Sequence, residues 1–340
     1  MKKILVLLVA LSLATGCLIP AAVAEEKSVT VVTTIFPIYD WCREIIGGSP
    51  NVELILLLDS GVDLHSYQPT AQDILRISTA DLFICVGGES DEWVEDVLAT
   101  AMNPDLRALS LVEAMGADIK IEEIVEGMEH DHDHDHDHED EDHDHEDEDH
   151  DHEDHEHEEH EEETDEHVWL SLRSARKLVS VISGILCETD PANTAAYRAN
   201  AAAYDEKLAA LDARYAETVR NAAHSTFLFG DRFPFRYLAD DYGLSYYAAF
   251  TGCSAETEAS FQTILFLAQK VDELGLPAVL TIENAHHRIA QTVVAATSAR
   301  DQRILSMNSM QGTTAGDVRN GVTYLSVMEE NLAVLADALN

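Results

Sequence analysis

The segment that decides the architecture covers residues 190–223 and reads DPANTAAYRANAAAYDEKLAALDARYAETVRNAA. Asp190 and Pro191 are typical of a helix start, with an acidic N-cap followed by proline at the first helical position. The stretch Ala192–Ala223 is rich in alanine and contains neither glycine nor proline. The sequence therefore predicts one long, rigid helix, and we assign residues 190–224 to it.

Short apolar runs alternate with amphipathic segments on both sides of this helix. The predicted strands cover residues 29–34, 52–58, 81–87, 106–111, 226–229, 246–250, 278–282 and 304–307. The predicted helices between and after them cover residues 39–46, 69–78, 91–102, 235–241, 256–274, 288–297 and 322–339. The run Val52–Leu58 is nearly all apolar, which is typical of a parallel strand covered on both faces.

This alternation predicts an α/β fold with two lobes of parallel sheet flanked by helices. The N-terminal lobe is assigned to residues 28–189 and the C-terminal lobe to residues 225–340, with the long helix joining them. Two such lobes create a cleft between the C-terminal ends of their strands, where ligands usually bind.

The charge of the chain is strongly negative. Its 340 residues are 46% hydrophobic, which is ample for one large or two ordinary domains, and 21 basic against 64 acidic residues give a net charge of −43. This charge argues against nucleic acid as a partner, because phosphate binding needs a basic surface. Residues 129–166 contain 25 of the acids and no Lys or Arg, so the rest of the chain carries only −18.

The N-terminus predicts export. Lys2 and Lys3 precede the apolar run Ile4–Ala14, which is too short to span a bilayer, so residues 1–24 are interpreted as a signal peptide. The sequence Ala14-Thr15-Gly16-Cys17 resembles a bacterial lipobox, in which Cys17 is lipidated; cleavage after Ala24 is the alternative. In either case we expect the body of the protein to work outside the cytoplasm, at the cell surface or in the periplasm.

Four further cysteines have no close spacing of the kind found in zinc ribbons or redox motifs. They are Cys42, Cys85, Cys187 and Cys253. We interpret them as buried thiols, or alternatively two of them as one structural disulfide, which export permits.

Twelve histidines alternate with carboxylates in the acidic insert. They are His130, His132, His134, His136, His138, His143, His145, His150, His152, His155, His157 and His160. Residues 129–164 cannot bury enough apolar area to offset chain entropy, so we expect them to be disordered. Imidazole suits zinc, copper and nickel, and the tract is interpreted as an auxiliary metal-capturing loop in preference to a purely solvating one.

Two other histidines occupy positions where sites are built. His167 follows directly on the histidine-rich tract and begins an apolar segment, and His65 lies in the loop just after the predicted strand Val52–Leu58. On local grounds, each is as consistent with a structural histidine as with a metal ligand.

Several motifs together resemble one family, the metal-specific substrate-binding proteins of ABC importers, which are zinc- and manganese-receptor lipoproteins. The motifs are His65-Ser66-Tyr67-Gln68-Pro69-Thr70, the histidine-rich loop, Asp165-Glu166-His167-Val168-Trp169-Leu170-Ser171, the long helix, and Asp240-Asp241-Tyr242-Gly243-Leu244. The resemblance covers residues 28–340. The histidine-rich loop resembles that of the zinc members.

The resemblance implies metal ligands at His65 and His167, which fall on the family's two N-lobe histidines. The family's third ligand, a histidine or glutamate, falls on Arg232, whose guanidinium cannot bind a cation. Asp231 replaces it if the strand end shifts by one residue, which Gly230 would permit.

The remaining ligand is less well defined by the resemblance. The family's final aspartate falls on Asn308, so water, Glu283 or a histidine such as His286 or His287 are alternatives for the fourth position. Glu283 ends the strand at 278–282 and is interpreted either as a ligand or as the partner of Arg232.

The function implied is a monomeric extracytoplasmic receptor that binds Zn²⁺ and delivers it to the permease of an ABC importer. Histidine ligands favour zinc over the alternative, Mn²⁺, which prefers oxygen-rich sites. A zinc-buffering or adhesive surface lipoprotein is the second class. We expect no enzyme: a zinc hydrolase would also fit two histidines and an acid, but the sequence lacks a His-Glu-x-x-His helix or another recognisable base.

Overall fold

The computed structural model describes residues 28–128, 163–254, 258–283 and 286–340. The predicted signal peptide with Cys17, and the twelve histidines of the tract, lie outside the described residues.

The N-terminal lobe is built on a four-stranded parallel sheet in the order β2-β1-β3-β4. Its strands are β1 (Val29–Thr33), β2 (Val52–Leu56), β3 (Leu82–Cys85) and β4 (Arg107–Ser110). Its helices are α1 (Phe36–Ile46), α2 (Ala71–Thr79), α3 (Trp93–Ala99), α4 (Leu111–Met115) and α5 (Leu172–Thr189).

The expectation that Val52–Leu58 is a strand covered on both faces is wrong. β2 lies at the edge of the sheet, pairs only with β1, and has no fully buried residue. The strand buried on both faces is β3, all four of whose residues are buried. Hydrophobicity alone could not distinguish the two, because both runs are almost wholly apolar.

The long helix is α6 (Thr194–Asn221). Its start differs from the prediction: Asp190 ends α5, residues Pro191–Asn193 form a 3₁₀ turn, and Asn193 is the residue that precedes the helix. The Asp190 carboxylate instead accepts hydrogen bonds from the Asn193 side chain (2.7 Å) and the Tyr197 hydroxyl (2.6 Å). The prolyl turn is therefore fixed by Asp190 without belonging to the helix.

The C-terminal lobe repeats the parallel arrangement, with strand order β6-β5-β7-β8. Its strands are β5 (Thr226–Arg232), β6 (Ser245–Phe250), β7 (Ala278–Ile282) and β8 (Arg303–Met307). Its helices are α7 (Arg236–Tyr242), α8 (Phe261–Leu274), α9 (Arg288–Ala296), α10 (Ala315–Arg319) and α11 (Tyr324–Ala338). The predicted fold class, two parallel α/β lobes with one long helix, is confirmed.

Helix α6 packs against both lobes. The Asn200 side chain donates to the Ile45 carbonyl on α1 (3.0 Å), and the Tyr215 hydroxyl donates to the Met328 carbonyl on α11 (2.7 Å). Its buried residues are Tyr197, Ala201, Tyr204, Leu208, Leu211 and Tyr215. One rigid rod therefore fixes α1 and α11 at a set separation.

The two ends of the histidine-rich tract are joined by backbone pairing, which we call the base ladder (residues 120–122 and 163–165). Glu122 N donates to the Glu163 carbonyl (2.8 Å), Asp165 N donates to the Lys120 carbonyl (2.9 Å), and Ile121 and Thr164 form an antiparallel bridge. The composition predicts disorder for residues 129–164. The structure differs at Thr164, because Thr164 pairs with Ile121 in the base ladder.

The four cysteines of the body are free, so the alternative of a structural bridge among them is wrong. Cys42, Cys85 and Cys187 are buried, whereas Cys253 is half-buried. In the part of the chain that the structure describes, no helix has both the length and the apolar character needed to cross a bilayer.

Candidate metal centre

His65 and His167 meet at the edge of the N-terminal sheet, although 102 positions separate them in sequence. His65 lies in a 3₁₀ turn, Leu64–Ser66, that follows β2 and is capped by the Asp63 side chain, which accepts from His65 N (3.1 Å). His167 precedes a second 3₁₀ turn, Val168–Leu170. The two Nε2 atoms lie 3.2 Å apart.

The second ring nitrogen of each histidine has a polar partner. His167 Nδ1 lies 3.0 Å from Asp165 Oδ1, and His65 Nδ1 lies 2.8 Å from Ser90 Oγ. A carboxylate can only accept, so His167 carries a hydrogen on Nδ1, and in the neutral ring its Nε2 then directs a lone pair toward His65. This is the arrangement in which metal-binding histidines are usually held, with an outer carboxylate fixing the tautomer.

The close approach of the two rings has a consequence for their protons. When both rings are neutral, a hydrogen bond between the two Nε2 atoms requires His65 Nε2 to donate, and Ser90 then donates to His65 Nδ1. A tetrahedral zinc ion with bonds of about 2.0–2.1 Å to two histidines separates their nitrogens by about 3.3 Å. The observed spacing therefore suits a shared cation that takes the place of this hydrogen.

Both rings are withdrawn from solvent. His167 is fully buried, and burial, with His167 nearby, lowers the pKa of His65 to about 3. The neutral imidazole is the form that binds metal. Two buried acids, Asp165 and Glu166, stand beside the pair, and burial raises the pKa of Glu166.

Cys253 is the third residue at this point, and sequence reasoning missed it. One ligating atom each of His65, His167 and Cys253 lies within 4.8 Å of the other two. Within the described ranges, this is the only such group of three or more His, Cys, Asp or Glu residues. The sequence feature that could have identified Cys253 is its position just after β6, because parallel α/β sheets form their binding sites at the C-terminal ends of their strands.

The backbone at Gly252 brings Cys253 close to His167. A Cβ on Gly252 would lie 3.0 Å from both His167 Cε1 and the Phe233 carbonyl oxygen, so only glycine fits without displacement. Cys253 N donates to Glu122 Oε1 (2.9 Å), which attaches the loop to the base ladder. Burial, together with the nearby acids Glu122, Glu166 and Asp165, raises the pKa of the Cys253 thiol.

Arg232 and Asp231 both line the cleft, because the register of β5 shifts between Phe229 and Arg232. Gly230 packs so closely on α9 that a Cβ there would lie 2.6 Å from Ala290 Cα. The Asp231 carboxylate accepts from Arg232 N (2.9 Å) and Ile282 N (3.2 Å), and burial raises its pKa.

The partner of Arg232 is not Glu283, and that interpretation is wrong. Arg232 forms an ion pair with Asp63 of the other lobe and donates to Gln311 Oε1 (2.9 Å). Because Asp63 also caps the turn that carries His65, we call Asp63, Arg232 and Gln311 the cross-lobe link.

Glu283 and Asn308 organise the loop after β8. Glu283 accepts from Ser309 N (2.6 Å) and Ser309 Oγ (2.7 Å), and Asn308 Oδ1 accepts from Met310 N (2.7 Å). Ser309 in turn accepts from Trp169 Nε1 through its carbonyl (2.9 Å). Both side chains therefore have structural partners, and their ligation of a metal stays a prediction.

His287 stands before α9 with a left-handed backbone (φ 53°), and its buried Nδ1 has no hydrogen-bond partner among the described residues. Like His286 it lines the cleft, but neither belongs to the group around His65. Ligation by Asp231 and His287 likewise stays a prediction.

A cleft of about 720 Å³ lies between the lobes and reaches His65. Residues of the N-terminal lobe, Asp63 and His65, line one side, and Asp231, Arg232 and Glu283 line the other. The cleft gives a small ion a path to the histidine pair, whereas His167 is covered from it.

Comparison with known proteins gives concordant matches. A family model described as zinc-uptake complex component A, periplasmic, matches residues 31–338. The zinc-binding lipoprotein AdcA of Streptococcus pneumoniae serotype 4 is 32% identical over 339 residues, covering 98% of this chain and 60% of that protein. This chain thus spans 60% of the length of that relative.

A second relative and a solved structure match over almost their whole lengths. The high-affinity zinc uptake system protein ZnuA of Bacillus subtilis is 29% identical over 319 residues, covering 94% of this chain and 90% of that protein. The crystal structure of the Zn(II)-bound ZnuA-like domain of S. pneumoniae AdcA superposes with a TM-score of 0.67 at 27% identity, covering 92% of this chain and 99% of that domain.

Proposed function

Because this chain belongs to the family of zinc-uptake complex component A, periplasmic, we propose that it is an extracytoplasmic zinc receptor that delivers Zn²⁺ to the permease of an ABC importer. Two relatives are named for zinc binding and zinc uptake, and a solved relative is described as Zn(II)-bound. A family of transport components also supports a binding protein in place of an enzyme.

The observation that carries the proposal is the histidine pair formed by His65 and the buried His167. His65 and His167 present Nε2 atoms 3.2 Å apart, and Asp165 fixes the tautomer of one ring. Two neutral imidazoles at that spacing leave room for one shared borderline cation, and zinc is the divalent ion most often held in this way.

Location and anchoring belong to the same proposal. We infer that the protein is exported, and that Cys17 is lipidated so that the receptor remains beside its permease. A receptor tethered at the membrane meets the permease at a high effective concentration, even if free affinity between them is low.

The histidine-rich tract is proposed to act as a collector. The base ladder returns the chain to Asp165, two residues before His167. Ions held weakly by the tract are thereby kept near the tight site, which raises their local concentration. The Cys253 loop hydrogen-bonds to the same ladder through Glu122.

The test is competitive zinc titration against a chelating indicator, with His65→Ala and His167→Ala as variants. Each should lose the tight site, lowering affinity by at least about 100-fold, since changes behind a ligand already cost about 10–100-fold. The matched control is His224→Ala, because His224 stands at the opposite end of β5 and hydrogen-bonds here through its backbone.

Delivery is tested separately by ATP-dependent uptake of radioactive zinc in cells with and without the chain. A receptor raises uptake at limiting zinc, and the His65→Ala variant should not. Tight binding without any effect on uptake would instead identify a zinc buffer or surface protein.

A further inference from the structure

We infer that Cys253 supplies the C-terminal lobe's ligand to the ion held by His65 and His167, giving a site with two imidazoles and one thiolate. The inference rests on the proposed zinc-binding function and adds a ligand to it. It assigns a chemical function to the one half-buried cysteine of the described chain.

Geometry is the first support. The three ligating atoms lie within 4.8 Å of one another, and the two histidine nitrogens are already at 3.2 Å. In tetrahedral zinc with an N–Zn bond of about 2.0 Å and an S–Zn bond of about 2.3 Å, nitrogen and sulfur stand about 3.5 Å apart. A loop shift of about 1 Å brings the sulfur to that separation.

The position of the loop is the second support. Gly252 allows the backbone to pass against the imidazole of His167, since a Cβ there would lie 3.0 Å from Cε1. On its other side, Cys253 N is held by Glu122 Oε1 at 2.9 Å. The thiol is therefore placed beside the two rings by contacts with two separate segments of the N-terminal lobe, at His167 and at Glu122.

The third support is that the two acidic candidates of the C-terminal lobe, Asp231 and Glu283, are engaged elsewhere. Asp231 accepts two backbone hydrogen bonds, and Glu283 accepts bonds from the backbone and side chain of Ser309. Arg232 is a cation in an ion pair with Asp63. None of the three belongs to the group around His65.

The chemistry balances without any further reactant. Zinc binding breaks the S–H bond of Cys253, forms a Zn–S bond, and releases the proton to solvent. The hydrogen on His65 Nε2 moves to Nδ1, where Ser90 Oγ accepts it, so the imidazole stays neutral. Zn²⁺ with one thiolate retains a net positive charge, and the carboxylates of Asp165 and Glu166 lie beside the two rings that would hold it.

A thiolate changes which ions the site accepts. Sulfur ligands favour Zn²⁺, Cd²⁺ and Cu⁺, whereas Mn²⁺ prefers carboxylate, carbonyl and water oxygens. The inference therefore deepens the proposed function into selection for thiophilic ions and against manganese.

Cobalt spectroscopy tests the inference directly. The full chain is prepared with Cys17→Ser, so that only the four body thiols remain, and is loaded with one equivalent of Co²⁺. The histidine-rich tract contains no cysteine, so a thiolate-to-cobalt charge-transfer band in the near ultraviolet reports on a cysteine ligand alone. We expect this band in the parent, its loss in Cys253→Ser, and its retention in Cys187→Ser, a buried cysteine on α5.

Zinc affinity and thiol chemistry complete the test. Cys253→Ala should bind zinc at least about 10-fold more weakly than Cys187→Ala. If a Cys253 variant fails to fold by circular dichroism, zinc protection of Cys253 from iodoacetamide in the parent chain replaces it, measured by mass spectrometry of the Cys253 peptide.

The outcomes separate this inference from the proposed function. If the parent binds zinc tightly, any one of three results overturns the cysteine ligand and leaves the proposed receptor function intact. These results are the absence of a charge-transfer band, normal zinc affinity in Cys253→Ala, and alkylation of Cys253 that zinc does not slow. Absence of tight zinc binding in the parent overturns the proposed function itself.

Discussion

Asp165 is the residue through which the fold orients His167. Its Oδ1 accepts both the backbone N–H (2.9 Å) and the ring Nδ1–H (3.0 Å) of His167. Asp165→Asn keeps the size of the side chain but replaces an ionised acceptor by a neutral amide. We expect zinc affinity to fall by about 10–100-fold, the usual cost of losing such a partner.

Calorimetric or competitive zinc titration measures this change. Asp118→Asn is the matched control, because Asp118 pairs with Lys177 at an exposed position. Equal affinity in Asp165→Asn and the parent would mean that the backbone turn alone holds the His167 ring.

Asp40 is a buried acid on α1, and it makes stability depend on pH. It accepts from Tyr324 N (2.7 Å) and pairs with Arg43, yet burial raises its pKa to about 6 from 3.8. Because the folded-state pKa is the higher one, Asp40 favours the fold fully below about pH 3.8, and this contribution is lost as the pH rises through about 6.

Asp40→Asn should therefore be more stable than the parent at pH 7, by about 3 kcal/mol, and the difference should shrink toward pH 4. Urea unfolding at a series of pH values measures the two free energies. Asp96→Asn on α3 is the exposed control. A constant difference for Asp40→Asn would place the folded-state pKa near its ordinary value.

Among individual residues, the two histidines of the site could be predicted from the sequence, whereas the residues that surround them could not. His65 and His167 each lie within a recognisable motif, and the structure brings their rings together. Cys253 carries no motif, and its relevance depends on Gly252 passing beside His167. Arg232 was paired with the wrong acid because its true partner, Asp63, lies 169 positions away on the other lobe.

Helix α6 owes its stability to the apolar stripe that it buries more than to its alanines. Leu208 is fully buried in the middle of the helix, whereas Ala210 is exposed two residues later. Leu208→Ala should lower the free energy of unfolding by about 2–5 kcal/mol through lost burial and a cavity. Ala210→Gly, the control, should cost only about 1 kcal/mol through helix propensity.

Urea unfolding followed by circular dichroism measures both variants. Equal losses of unfolding free energy would show that α6 is stabilised mainly by local helix propensity. Its contacts with α1, α5 and α11 would then contribute little to stability.

Most strands and helices could be predicted because their apolar period and their caps are local. The strand β7 has the predicted ends, Ala278 and Ile282. Helix α8 begins at Phe261, later than the predicted Glu256, because the Ser260 side chain accepts from Thr263 N and sets the start. Helix α5 was not predicted, and the order of strands depends on pairings between distant segments.

The cross-lobe link bears on the molecule as a whole. Arg232 of the C-terminal lobe joins Asp63, whose carboxylate also accepts from the backbone of His65. Loss of the link should let the lobes separate more readily, so Arg232→Ala should release zinc about 3- to 10-fold faster, equivalent to about 1 kcal/mol.

Stopped-flow mixing of zinc-loaded protein with an excess of chelator measures the release rate. Arg214→Ala is the control, because Arg214 forms an exposed ion pair with Glu329. Slower release in Arg232→Ala would show that repulsion between the guanidinium and the ion outweighs the link.

The base ladder has a consequence for how this protein can diverge. Its hydrogen bonds join backbone atoms of residues 120–122 and 163–165, so they make no demand on the composition of what lies between. Closing a longer loop costs only about 0.6 kcal/mol for each doubling of its length. Insertions, deletions and repeat slippage between the two rungs therefore leave the fold almost untouched. Selection can therefore change the number of histidines in this loop with little effect on the stability of the fold.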